Sequence, residues 1–345
     1  MTDIPEYKIG RTVIGDAKAI AAAYERFREQ KIDETRLAAD RSCPFPGRRR
    51  GLGGEAPVTG VGTFKGSERQ TITFAPSDRP GWWIRRMDHP EQLDTKVDIA
   101  NLWTSAQNLV LRSGSPHNYL RMVEHIIALK LGLGVDDVLI KVKSGDPPLF
   151  DRSSMPLVEA IEGAAGIVET DAPATYVTVK EPVAFGGRRG DFLLMLPAEK
   201  GELNLRIDCA ISWNTVIGNQ RILFDSTPET FRYASLARTN ATHRQYILAK
   251  TVGRLFAATR NLGYNKKNIL IHGPRGYYTE PRFQVGEKFL EPVWHRATLD
   301  LMAALALTGE HRFAGTVVSY RAGHTLDCDA VRAHYRNDLL EVINA

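Results

Sequence analysis

RMVEHIIALKLGLGVDDVLIKV, residues 121–142, sets the fold class. Met122, Ile126 and Leu129, with Ile127 beside them, recur at helical spacing, so a helix is expected over 118–131. Gly132 and Gly134 end it, because glycine enters the left-handed conformation that closes a helix at little steric cost. VDDVLIKVK (135–143) follows, rich in β-branched residues, and reads as a strand. Upstream, VTGVGTF (58–64), TITFAP (71–76) and GWWIRRM (81–87) alternate apolar and polar residues, with turns at Gly66-Ser67 and Pro80-Gly81. Residues 97–111 read as further strands or irregular chain. Downstream, SGDPPLFDRSS (144–154) is turn-rich and residues 155–165 read as a second helix.

From about Thr175 a similar order returns. TYVTVKEPVAF, DFLLMLPA and LNLRIDCAIS read as strands, and ILFDSTPETFRYAS leads into a helix. A short strand NILIHG, a helix over 291–308, a strand GTVVSYRAGH and a closing helix over 327–343 complete the chain. The expected fold is α+β: two similar lobes, 57–172 and 173–345, each a mostly antiparallel sheet with two helices, packed around a shared cleft. Residues 1–56 read as an N-terminal extension. Asp16 caps a helix whose stripe is Ala17, Ile20, Ala21, Tyr24 and Phe27, followed by a Pro-, Gly- and Arg-rich linker. That stripe either packs on the body or docks a protein partner.

The bulk numbers exclude several classes. With 345 residues, 43% apolar and 25% charged, the composition is that of a globular protein. Net charge is +5 with an isoelectric point near 9.0. This is too mild to imply nucleic-acid binding but suits an anionic substrate. The run Arg48-Arg49-Arg50 reads as a solvated loop, with phosphate or nucleic-acid contact as the minor alternative. Three widely spaced cysteines, Cys43, Cys209 and Cys328, with no CxxC pair, point to a reducing, cytoplasmic setting. No apolar run is long enough to span a membrane, and MTDIPEYK has no secretory h-region.

Three histidine segments carry the chemistry: VEHIIAL (123–129), VWHRATLD (293–300) and RAGHTLD (321–327). In the first, Glu124 beside His125 supplies a general base next to a metal ligand. In the second, His295 and Asp300 share one helix. In the third, His324 stands where a strand ends, a place from which a side chain reaches a cleft. A His/His/Asp set with an open fourth position is the arrangement of a catalytic zinc site.

Five segments stand in an order that resembles a known family: GVGTFKG (60–66), residues 121–142, GDPPLFDRSSMPLVEAI (145–161), IGNQRILFDSTPETFRYASLARTN (217–240) and FAGTVVSYRAGHTLDCDAVRA (313–333). Over about residues 57–345 the chain is similar to UDP-3-O-acyl-N-acetylglucosamine deacetylase, the LpxC family of lipid A synthesis. The resemblance implies a cleft between two α/β lobes and a Zn2+ ion held by His125, His295 and Asp300. It also implies Glu124 as general base, and a protonated His324 and Thr239 stabilising the tetrahedral intermediate. Arg296 is expected at the diphosphate of a UDP-acyl amino sugar, with Asn240 and Phe64 lining the substrate site. An acyl-bearing substrate also allows association with a membrane surface.

Four departures from the family's pattern stand out. The family's ligand helix reads H-x-x-x-D, which sets the two side chains about 40° apart around the axis. His295 and Asp300 are five residues apart, about 140° on a regular α-helix, which would put Arg296, unable to bind zinc, at the ligand position; an insertion absorbed as a π-bulge or a wider first turn would return His295 to it. Ala304 stands where the family carries an aspartate paired with the catalytic histidine. Phe64 replaces a histidine, and Asn240 replaces an aromatic residue. The leading reading is a zinc-dependent deacetylase with water attacking the amide. The rivals are a catalytically reduced relative with a binding role and a deacetylase for a different acylated amine.

Overall fold

The computed structural model describes residues 5–40, 43–66, 68–91, 93–251 and 262–344. The chain is a mixed α+β protein, rich in sheet and with few helices. A six-stranded sheet has the order Pro148–Leu149, Ala56–Gly62, Arg69–Ala75, Val138–Val142, Trp82–Arg86, Thr95–Lys96. A seven-stranded sheet has the order Arg11–Ile14, Val183–Gly186, Phe192–Leu196, Gly315–Tyr320, Leu205–Trp213, Gly218–Asp225, Glu34–Arg36. The six-stranded sheet is mostly antiparallel, as expected, with one parallel pairing, whereas the seven-stranded sheet is evenly mixed. Val138–Val142 runs parallel to Trp82–Arg86, and Leu205–Trp213 runs parallel to Gly315–Tyr320.

The helices connect the two sheets through one apolar core. The helix Glu124–Leu133 packs on the later helix that carries His295, and one cluster joins Ile72 and Ile140 of one sheet, Ile126 and Leu129, Met302 and Leu305, and Leu193 and Val317 of the other sheet. Glu124–Leu133 is buried on nearly every side, so its sequence is apolar all round rather than on one stripe. Gly134 closes it in the left-handed conformation (φ 60°), as its sequence position implies. Gly132 answers to packing instead: a Cβ there would lie 2.1 Å from the Phe231 ring.

The helix begins later than expected. Tyr119–Arg121 is a strand paired with Val110–Arg112, and Met122, at φ 49°, separates it from the helix. Leu120 and Met122 satisfy strand alternation as well as helical spacing, which is why periodicity overextended the helix. At the other end, the closing helix is His324–Arg336, and Leu340–Asn344 is a strand paired with Thr175–Val179. Ser67, half of one expected turn, lies outside the described residues.

The N-terminal segment is not merely appended. Its two strands, Arg11–Ile14 and Glu34–Arg36, are the two edges of the seven-stranded sheet, each in parallel pairing. The helix Ala17–Arg28, capped by the Asp16 side chain, buries Ile20, Tyr24 and Phe27 against Phe192, Leu194 and Tyr320. Alternate residues Leu193 and Met195 point to the opposite face and the main core, so the helix covers the outer face of the sheet. The stripe open to a partner in the sequence reading is therefore spent on the body. The arginine run is also structural rather than a solvated loop. Arg48–Leu52 pairs with Ile167–Pro173, Arg49 is 8% exposed and ion-paired with Asp137, and Arg50 donates to the Leu133 carbonyl.

Candidate active site

The nine residues singled out in the sequence all line one cavity of about 630 Å³. Glu124 and His125 open their helix. The Glu124 carboxylate is turned back to accept the Leu109 N–H at 3.0 Å, and burial raises its pKa. The His125 carbonyl accepts from Ser154 Oγ, which holds the first turn. Thr239 is set by a buried ion pair: Glu291, the first residue of the His295 helix, accepts both the Arg238 backbone N–H and its guanidinium.

The five-residue spacing of His295 and Asp300 is absorbed by a π-helical turn, Arg296–Leu301, between the α-helical turns Glu291–His295 and Met302–Leu305. Bonding from i to i+5 sets residues five apart one above the other, where an α-helix would splay them. His295 Nδ1 and Asp300 Oδ1 are accordingly 3.5 Å apart. The Thr298 hydroxyl donates to the Trp294 carbonyl at 2.6 Å, a local bond that bends helices.

The imidazoles of His125 and His295 converge, with Nε2 atoms 3.5 Å apart, and Thr239 Oγ1 lies 2.9 Å and 3.2 Å from them. Asp300 Oδ1 is 3.5–3.6 Å from His295 and from His324 Nε2, within ion-pair range yet without a hydrogen-bond partner. Burial would raise the Asp300 pKa, but the imidazoles of His295 and His324 outweigh it and hold the carboxylate well below its usual range. Burial, with His295 adding, pushes His125 down to about 3. His324 stands at the first position of its helix behind Gly323. Burial would lower its pKa, but Asp300, Glu124 and Asp327 together raise it.

This donor set can be tested against zinc. Two nitrogens bound to one tetrahedral zinc at about 2.0–2.1 Å stand roughly 3.4 Å apart. The two imidazole Nε2 atoms match that separation. His125 is neutral and Asp300 ionised, the states in which these groups bind metal. Among the described residues, no three His, Cys, Asp or Glu side chains are drawn into a complete ligand set. The imidazole pair fits zinc by its separation, and Asp300, whose Oδ1 lies 3.5 Å from His295 Nδ1, is the carboxylate beside it.

Two of the lining residues have partners that the sequence did not indicate. Arg296 is buried: its Nε donates to the Ala322 carbonyl at 2.8 Å and its Nη2 to Asp327 at 2.6 Å. Its charge ties the His295 helix to the His324 helix. Phe64 takes the Arg121 guanidinium over its ring at 3.7 Å, which puts a cation into the cavity wall. Asn240 opens a short strand paired with Leu270–His272 at the rim. Sequence reasoning missed Asp327. It supplies a carboxylate near His324 where Ala304 removed the expected one, and its acidic position one turn into the AGH helix was the available signal.

A profile described as LpxC: UDP-3-O-acyl N-acetylglycosamine deacetylase matches residues 49–335. The proteins named UDP-3-O-acyl-N-acetylglucosamine deacetylase from Brucella ovis, Brucella canis and Brucella melitensis biotype 2 are each 26% identical over 297 residues, covering 85% of this chain and 98% of theirs. With five ordered motifs, a converged histidine pair and a profile match across most of its length, the chain belongs to the LpxC family.

Proposed function

We propose that the protein is a zinc-dependent deacetylase acting on a UDP-linked N-acyl amino sugar. The convergence of His125, His295, Asp300, Glu124, His324 and Thr239 on one cavity supports this reading most strongly. His125 and His295 would hold the ion, with Asp300 as the third donor. When bound, zinc lowers the pKa of its water and polarises the amide carbonyl. Glu124 takes the proton of the attacking water, and its burial-raised pKa brings it nearer the working pH of a general base. His324, whose pKa its carboxylate neighbours raise against burial, and the Thr239 hydroxyl face the developing oxyanion. His324 then returns a proton to the leaving amine. The products are a carboxylate and a free amino sugar. The overall arrangement is read as two lobes facing this cleft.

The anionic part of the substrate has a site of its own. A second cavity of about 890 Å³ also borders His324; its wall carries Arg188, Arg189 and Arg321 together with the carboxylates Asp191 and Asp329. The three arginines supply a cationic excess that supports a diphosphate beside the reacting amide. No helix among the described residues is long and apolar enough to cross a membrane. Arg121 over Phe64 favours a second reading of the specificity, in which the acyl group carries a polar or anionic substituent.

The test is incubation of metal-reconstituted protein with UDP-3-O-acyl-N-acetylglucosamine, following the acetyl mass loss. Turnover removed by chelation, restored by zinc and abolished in His125→Ala supports the proposal. Protein that retains activity after chelation, or in His125→Ala, overturns it.

A further inference from the structure

The N-terminal strand reaches the metal-ligand helix through a tryptophan. Trp294, next to His295 and on the last α-helical turn before the π turn, is completely buried. Its indole N–H donates to Glu34 Oε2 at 2.8 Å. Glu34 is 12% exposed at its side chain, and its other oxygen accepts from Arg36 Nε at 2.6 Å. The Arg36 guanidinium lies 3.7 Å from the centre of the Tyr233 ring, and Tyr233 meets Trp294 edge-on. The strand itself is pinned at its start. Asp33 accepts the Arg221 N–H, donates to the Arg221 carbonyl and pairs with Lys288 at 2.8 Å. All these N-terminal residues precede position 49, where the family match begins.

A π turn is rare, and it persists where the surroundings impose it. Here Trp294 is fixed at both ends, its carbonyl by Thr298 and its indole by Glu34. An indole bonded to a carboxylate is a charge-assisted bond, and losing the acceptor would leave a buried N–H unpaired. We propose that the N-terminal segment braces the ligand helix, with Glu34 as a positioning residue that orients His295 through Trp294. The brace rests on the zinc reading only for its consequence at the metal.

The test uses the full chain with Glu34→Ala and Glu34→Gln. Hydrogen exchange of the metal-free proteins reads the helix. Cobalt(II) titration, followed by visible absorption with His125→Ala as the blank, reads the site. Glu34→Ala is expected to speed exchange over 291–301 about tenfold while 124–133 is unchanged, and to weaken cobalt binding about tenfold, the lower end for groups that orient metal ligands. Glu34→Gln keeps an acceptor oxygen and is expected to recover most of both. Unchanged exchange over 291–301, or exchange raised equally in both helices, overturns the brace. If the wild type takes no cobalt while 291–301 still loosens in Glu34→Ala, the brace stands and the metal reading falls.

Discussion

Replacing Arg296 by methionine separates two accounts of that residue. If it contacts substrate, Arg296→Met raises KM and leaves stability alone. The structure instead leaves Asp327, which is fully buried, without its cation. Removing one partner of a buried ion pair costs about 3–5 kcal/mol. At about 2.1 cal/mol/K per residue, 345 residues give an unfolding entropy of roughly 0.7 kcal/mol/K, so Tm is expected to fall by roughly 4–7 °C. The deficit has a sign in pH. Burial raises the Asp327 pKa even with Arg296 opposing it, and without Arg296 it rises further. A carboxyl with a raised folded pKa stabilises below its unfolded value of about 3.9 and loses that contribution as pH climbs through the folded value. The gap between wild type and Arg296→Met is therefore expected to widen from pH 5 to pH 8. Arg296→Met combined with Asp327→Leu is expected to recover most of the loss, because an apolar pair of similar volume replaces the charges. Scanning calorimetry at two pH values reads all three proteins. An unchanged Tm with a raised KM would refute the reasoning.

Four further outcomes are expected. Glu124→Gln lowers kcat about 10²–10⁴-fold with little change in KM, measured by acetyl release. With Glu124 ionised and His324 protonated in the active form, kcat/KM rises through a pKa above 4.5 and falls through one above 6.5, and His324→Gln removes the alkaline limb. Gly132→Ala drives a methyl into the Phe231 ring and costs about 1–3 kcal/mol in denaturant unfolding, more than alanine's helical advantage returns. Lys130 is buried against the carbonyls of Ala306, Gly309 and His311, and burial lowers its pKa from 10.5 to about 8. The unfolded chain holds that proton longer, so this group adds about 3 kcal/mol of stability as pH rises from 8 to 10.5. In Lys130→Met that rise is absent from the stability-against-pH curve.

Local chemistry made much of the chain legible. Strands such as Val138–Val142 and Arg69–Ala75 follow from β-branched and alternating runs, and Gly134 and Asp16 mark helix ends because backbone conformation and capping are local properties. The histidine segments were visible as chemistry, and the five-residue spacing left two arrangements open, a regular helix with Arg296 at the ligand position or an irregular turn that returns His295. What the sequence by itself determined is therefore the element types, the candidate side chains and the site of the anomaly. Only the tertiary structure decided that the anomaly is a π turn that keeps His295 and Asp300 together, since that choice depends on what clamps Trp294. It alone turned Arg296 toward Asp327, 31 residues away, and brought Glu34 to Trp294, 260 residues away. No local propensity encodes such partners. They are chosen by burial, because a charge or an indole N–H removed from water must find its counterpart wherever in the chain that counterpart lies.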